Sequence, residues 1–147
     1  MFYGTVSGAQ AYFDTRLFTS DWDDATNNDR EKSLSMATRA IDRLNFAGDR
    51  FDESQDLQFP RGDDETVPIE IEYATYECAL SYLGGVSIDQ EIRNLGISSF
   101  QFNGVQDVFN SSVVNEHYRA GIPSAEAWIY LRPFLRDPRQ FLMSRVS

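Results

Sequence analysis

The clearest periodic pattern in the chain runs from Thr66 to Gly85. Its large apolar side chains recur at steps of three and four residues: Ile69, Tyr73, Tyr76, Leu80 and Leu83. This spacing lines them up on one face of a helix, which we expect to be buried. Pro68 suits the first helical position, and Gly84 with Gly85 supplies a left-handed stop. The stretch is therefore predicted to be the central helix of the core.

Two helices are predicted before this central one. Ser7 followed by Gln10 is a capping box, and it opens a short helix that runs to about Arg16. Its apolar side consists of Ala9, Tyr12, Phe13 and Leu17. Thr26 with Asp29 caps the second helix, whose inward residues are Leu34, Ala37, Ile41 and Leu44. The polar stretch between the two helices, residues 19–28, indicates a loop anchored by Trp22.

The segments on either side of the central helix are less regular. Residues 48–65 carry seven acids and no period, which predicts a long loop pinned to the core by Leu57, Phe59 and Pro60. After the central helix, Ser87 with Gln90 caps a short helix. The pair Asn103-Gly104 is typical of a type I′ turn, so residues 97–110 are predicted to form a β-hairpin.

The last predicted helix follows Pro123. Its inward residues are Ala127, Trp128 and Leu131, and Pro133 ends it. The eleven residues after Arg136 contain arginines and apolar side chains but no visible core of their own to join. The patterns therefore predict a mainly α domain over residues 1–136, with one hairpin, and a C-terminal docking tail over residues 137–147.

The charge of the chain is acidic and unevenly spread. Its net charge is −10, and residues 1–116 hold 8 Arg or Lys against 21 Asp or Glu. Residues 117–147 hold 5 against 2, so only the last fifth is basic. An acidic surface repels a phosphate backbone, which makes nucleic acid a poor partner for most of the molecule. No apolar stretch is long enough to span a membrane and the N-terminus lacks a signal-peptide pattern, so we expect no membrane contact.

The residue types that carry chemistry give no catalytic signature. Cys78 is the only cysteine and lies in the central helix, which favours a small buried hydrophobe. His117 beside Glu116 offers half of a general-base pair, although an exposed loop histidine is the commoner case. The acidic clusters, Asp21, Asp23, Asp24 and Asp63, Asp64, Glu65, do not follow the calcium-loop pattern. We expect no enzyme activity, no metal and no cofactor.

Five stretches together give the chain a likeness to a known family. They are YGTVSGAQAYF, ATNNDREKSLSMATRAIDRLNF, LQFPRG, VPIEIEYATYECALSYL and IPSAEAWIYLRPFLRD. In this order they resemble the head-to-tail adaptor (connector) proteins of tailed bacteriophages, whose members are often labelled DnaT-like single-stranded-DNA-binding proteins. The resemblance covers nearly the whole chain. It departs at Phe59, where relatives often carry a tryptophan before the proline.

The resemblance implies a structural protein of the virion neck, made in the host cytoplasm. Its fold would be a small helical bundle of four to five helices with one β-hairpin. About twelve copies would form a ring beneath the portal and above a tail or head-closure (nozzle) protein. DNA would pass through the ring without sequence-specific binding, and the acidic surface suits such a channel.

Two groups of residues are candidates for these contacts. The portal-binding group comprises Arg132, Phe134, Arg136, Arg139, Phe141, Leu142 and Met143. The hairpin group, which would meet a neighbouring copy or a tail component, comprises Phe100, Phe102, Asn103, Gly104, Val105 and Phe109. The alternative function is a single-stranded-DNA-binding module, and a small enzyme using a carboxylate with His117 is a third.

Overall fold

The computed structural model describes residues 1–94 and 116–136, and within them the protein is mainly helical. Its α-helices are α1 Val6–Phe13, α2 Ser20–Asp23, α3 Asn27–Asp42, α4 Ile69–Leu83, α5 Glu116–Arg119 and α6 Ala125–Leu131. Residues 88–94 are also helical, and a 3₁₀ turn, Arg132–Phe134, continues α6. This confirms the mainly α fold. The predicted hairpin at residues 97–110 and the tail at residues 137–147 lie outside the described residues.

The central helix is α4, as the periodicity predicts; on the predicted face Tyr76 and Leu80 are buried, but Ile69 is not. Ile69 is 49% exposed, whereas Ile71, Ala74 and Cys78 are fully buried. The reason is that α1, α2, α3 and α6 all pack against α4. Several neighbours cover more than one side of the helix, so every residue from 74 to 80 is buried. A single apolar stripe cannot describe a helix enclosed in this way.

The N-terminal helix is shorter than predicted and is capped differently. Thr5, not Ser7, is the N-cap, and its hydroxyl accepts a hydrogen bond of 2.8 Å from the Gly8 N–H. The helix ends at Phe13, so Leu17 lies outside it and is 75% exposed. The polar stretch after it contains the short helix α2 instead of a loop throughout. Trp22 in α2 is fully buried, which confirms its role as an anchor.

The other predicted helix starts and inward residues agree better with the structure. The Thr26 hydroxyl accepts from the Asp29 N–H at 3.2 Å, and Ser87 caps residues 88–94 through the Gln90 N–H. Leu34, Ala37, Ile41, Ala127 and Leu131 are all buried. Local capping and helical spacing were sufficient here because each of these helices has one covered side.

Close contact between the N-terminus and α4 requires glycine at two positions. A Cβ atom on Gly4 would lie 2.2 Å from the Tyr76 hydroxyl oxygen, and one on Gly8 would lie 2.6 Å from it. Gly4 also has a φ of +74°, a conformation that side chains disfavour. The glycines in YGTVSG therefore let the chain pass directly over the Tyr76 ring.

The side chain of Tyr3 joins the N-terminus, α3 and the long loop. Its hydroxyl donates a hydrogen bond of 2.5 Å to Oδ1 of Asp42 and accepts one of 3.1 Å from the Phe59 N–H. Its backbone N–H donates to the Thr38 hydroxyl at 3.0 Å. Burial, reinforced by the neighbouring Asp42, raises the pKa of Tyr3, so the hydroxyl keeps its proton as a donor. One side chain thus fixes three parts of the chain.

Replacing Gly4 tests the close approach to Tyr76. Gly4→Ala is expected to lower the free energy of unfolding by about 2 kcal/mol or more, because strain and steric overlap act together. Gly48→Ala is the matched control: its φ is +77° but no atom lies within 4 Å of the added Cβ. The control should cost only about 1 kcal/mol. Urea unfolding of both variants provides the measurement, and equal losses would contradict the steric contribution.

Removing the Tyr3 hydroxyl tests its bridging role. Tyr3→Phe should destabilise the protein by roughly 1–3 kcal/mol, because the buried Phe59 N–H loses its acceptor. Tyr130→Phe is the control, since among the described residues its hydroxyl has one hydrogen-bond contact, of 3.4 Å, with the Tyr12 hydroxyl. We expect that variant to change stability by about 0.5 kcal/mol or less. Thermal unfolding that ranks the two variants in the opposite order would refute the assignment.

Candidate functional site

A buried polar cluster links α1, α4 and α6. The Glu77 carboxylate is 2% exposed and accepts hydrogen bonds from the Tyr12 hydroxyl at 2.6 Å and from Nε of Arg16 at 2.7 Å. Burial, with Glu77 next in importance, raises the pKa of Tyr12, which therefore acts as a proton-bearing donor. A carboxylate this deeply buried and already paired is inaccessible to a substrate. The hydrogen bonds of the cluster hold these helices together.

His117 lies inside the protein, which corrects the expectation of an exposed loop histidine. It is only 9% exposed, and its Nδ1 lies 2.9 Å from the carbonyl oxygen of Ile122. Because a carbonyl only accepts, Nδ1 must carry the proton and donate. The neighbouring Glu116 is exposed, so the two side chains occupy different environments. The sequence could not reveal the turn that closes over this ring, in which the Ile122 N–H donates to the His117 carbonyl.

The remaining candidates for chemistry are the Cys78 thiol and groups of side chains that could bind a metal ion. Cys78 is fully buried, as predicted, and burial raises the pKa of its thiol, which disfavours the reactive thiolate. Among residues 1–94 and 116–136, no three His, Cys, Asp or Glu side chains come together in a way that would hold a metal ion. Within the same ranges, no helix has the length and apolar character needed to cross a membrane.

Three of the predicted portal-binding residues are described, and they fall into two classes. Phe134 is half-buried, with its ring centroid 5.7 Å from that of Phe59. Arg132 and Arg136 are exposed. The other members of that group, Arg139, Phe141, Leu142 and Met143, lie outside the described residues. So do all the hairpin residues, Phe100, Phe102, Asn103, Gly104, Val105 and Phe109.

Backbone contacts fix the chain up to the point where the predicted tail begins. The Ala47 N–H donates to the Phe134 carbonyl at 2.9 Å, and the Arg136 N–H donates to the Asn45 carbonyl at 3.0 Å. Phe46 and Leu135 form an isolated antiparallel bridge between these two bonds. Residues 134–136 are therefore held beside the start of the long loop.

The long loop is an ordered element with an acidic surface. Phe59 is 4% exposed, which confirms the predicted staple. Arg61 turns back to donate hydrogen bonds to the carbonyl groups of Phe46, Ala47, Gly48 and Gln58. We define residues 49–65 as the acidic loop. Its seven carboxylates are all exposed: Asp49, Asp52, Glu53, Asp56, Asp63, Asp64 and Glu65.

The outward face of α3 carries a group of exposed cations. We define the α3 stripe as Lys32, Met36, Arg39 and Arg43. These four exposed residues follow one another at steps of four, three and four, so they lie along one line of the helix. Met1 and Phe2 lie beside the stripe and help to line an open groove of about 520 Å³. The spacing alone could have identified this stripe.

Only one comparison with known proteins gives a match. Residues 3–109 match the model of a family described as "Putative DnaT-like ssDNA binding protein". No curated protein matches the chain, and no solved structure does. The matched range covers α1 to α4, the acidic loop and the α3 stripe, which is well over half of the chain. The protein therefore belongs to the DnaT-like ssDNA-binding protein family.

Proposed function

We propose that the protein is a non-enzymatic adaptor of a tailed-phage neck, which joins the portal to the tail as a ring of copies. The observation that carries the proposal is the structural role of the sequence stretches in which the chain resembles the adaptor family. In YGTV, LQFPRG and LRPFL, the side chains of Tyr3, Phe59, Arg61 and Phe134 make contacts within the fold. Such stretches specify a scaffold, and a scaffold suits a role in assembly.

The anchoring of residues 134–136 supports a docking role for the tail. Two backbone hydrogen bonds and the Phe134–Phe59 contact fasten this segment to the domain. The basic tail, residues 137–147, therefore continues from a fixed point beside the exposed Arg132 and Arg136. A segment with arginines and apolar side chains that starts from a rigid base suits insertion into a partner.

The charge of the chain supports a channel role. A net charge of −10 disfavours retention of DNA, because like charges repel a phosphate backbone. A protein that lines a path for DNA benefits from that repulsion. In the proposed setting the protein acts in the virion, with the portal above, a tail or head-closure protein below, and neighbouring copies at its sides.

Deleting residues 137–147 tests the adaptor proposal. The shortened chain should stay folded, because the contacts of residues 134–136 are retained, but it should lose binding to the portal protein encoded near it. Full-length protein mixed with portal rings should give a stacked complex by sedimentation and electron microscopy. In a control variant, a Gly/Ser sequence of equal length replaces the tail. This variant shows whether portal binding depends on the side chains of the tail or only on its length.

The result that would refute this assignment is portal binding by the deleted chain at the strength of the full-length protein. If the full-length protein also failed to bind a preassembled portal ring, the adaptor proposal itself would fall. Circular dichroism of each variant shows whether a loss of binding reflects unfolding.

Single-stranded-DNA binding is the second candidate function. It is favoured by the description of the matching family and by the three cations of the α3 stripe. Half-buried Phe2 borders the stripe and is an aromatic group on which a base could stack. The charge of the whole chain opposes this function.

Salt dependence separates the two candidates. A single strand held by the three stripe cations should give a plot of log K against log salt with a slope of about −2. The adaptor proposal instead expects no saturable binding of oligothymidylate, even in low-salt buffer. Fluorescence anisotropy provides the measurement. Tight, salt-sensitive binding that disappears in Lys32→Gln/Arg39→Gln but persists in Arg93→Gln/Arg119→Gln would favour the DNA-binding function.

A further inference from the structure

The α3 stripe carries three cations that form no ion pair with any described residue. Among the described residues, the ion pair is that of Arg16 with Glu77, and no stripe residue takes part in it. No side-chain hydrogen bond joins Lys32, Arg39 or Arg43 to another described residue. The stripe extends about 16 Å along the axis, from the helical rise over eleven residues. It is a compact cationic surface on a strongly acidic protein.

The acidic loop is the complementary surface on the same chain. It contains seven exposed carboxylates and two arginines. Arg61 is occupied with backbone carbonyl groups, so Arg50 is the cation left at the surface of this loop. The carboxylates make no ion pair with the described cations. A loop with this excess of negative charge is opposite in sign to the α3 stripe and therefore complementary to it.

The two surfaces are formed by different segments of the domain. The loop is fastened at the C-terminal end of α3, where Tyr3 bridges Asp42 and Phe59. The stripe runs along the outer side of the same helix. Because the stripe and the loop are different surfaces, a contact between the stripe of one copy and the loop of the next is heterologous, and the linked pair keeps one free loop and one free stripe. Repetition of such a contact gives a closed ring or an open filament.

The surroundings of the stripe favour a protein loop over a nucleic acid. Glu31 and Asp42 lie on one side of the stripe and Asp29 on the other. A phosphate backbone that crosses the stripe would meet these carboxylates on either side. A loop from another protein needs only to cover the stripe itself.

We propose that the α3 stripe of one copy binds the acidic loop, residues 49–65, of a neighbouring copy. The inference rests on the proposed function, because it names the surfaces that would join adaptor copies side by side. Electrostatic complementarity of this kind fixes partner and register. The contact uses no portal residue and no part of residues 137–147.

Disulfide cross-linking tests the contact directly. A chain carrying both Met36→Cys and Asp64→Cys, concentrated in low-salt buffer with oxidised glutathione, should give a ladder of linked multimers on a non-reducing gel. Either single variant should stop at dimers, because each copy then carries one introduced thiol. Native Cys78 is fully buried and should not react. Met36→Cys/Thr15→Cys is the matched control, with the second thiol at an exposed position outside the loop.

Charge reversal gives a second, independent measurement. Lys32→Glu/Arg39→Glu/Arg43→Glu and Asp63→Lys/Asp64→Lys/Glu65→Lys should each weaken self-association roughly tenfold or more, because like charges then face each other. An equal mixture of the two variants should recover association, since the unchanged loop of the first matches the unchanged stripe of the second. Sedimentation in low-salt buffer follows both effects, and circular dichroism excludes unfolding.

A ladder no longer than that of the control chain would overturn the proposal. It would also be overturned if oligothymidylate bound the unchanged protein and the stripe reversal abolished that binding while leaving self-association intact. Failure here is distinct from failure of the adaptor role. A protein that stacks on the portal but gives no ladder keeps the adaptor function and joins its copies through another surface. A ladder without portal binding leaves the copy contact and removes the adaptor.

Discussion

The paired hydrogen bonds of the Tyr3 hydroxyl are the interaction on which the arrangement of the other elements depends. The hydroxyl donates to Asp42 at the end of α3 and accepts from the Phe59 N–H in the long loop. The Phe59 ring in turn packs between Phe46 and Phe134, with centroid distances of 4.6 Å and 5.7 Å. Because these rings are covered, a loop rich in acids is held in place despite its lack of regular structure.

The most recognisable stretches of the chain make contacts within the fold. The glycines of YGTVSG let the backbone approach Tyr76, and Arg61 of LQFPRG binds backbone carbonyl groups. Buried Glu77, His117 and Cys78 are likewise used in packing and internal hydrogen bonds. These groups therefore serve the interior of the domain, while the acidic loop and the α3 stripe lie on its surface.

The surface divides into regions of opposite charge, which gives the proposed assembly a physical basis. The seven carboxylates of the acidic loop lie outside the regular helices, and the three cations of the α3 stripe lie along one of them. Exposed charges of one sign gain little within a single chain, because water screens them. Such charges stabilise a contact when a neighbouring copy places opposite charges close to them and excludes part of that water.

The sequence by itself determined the mainly helical class, the caps at Thr26 and Ser87, the anchoring of Trp22 and the staple at Phe59, because each follows from local spacing or local hydrogen bonding. It also contained the spacing of the α3 stripe. Tertiary structure alone decided the buried face of α4, the burial of His117 and the attachment of Phe134 beside Phe59. These features depend on which distant segments of the chain pack together. A periodic pattern indicates that one face of a helix is buried, but it does not show which elements cover the helix or how many of its faces they cover.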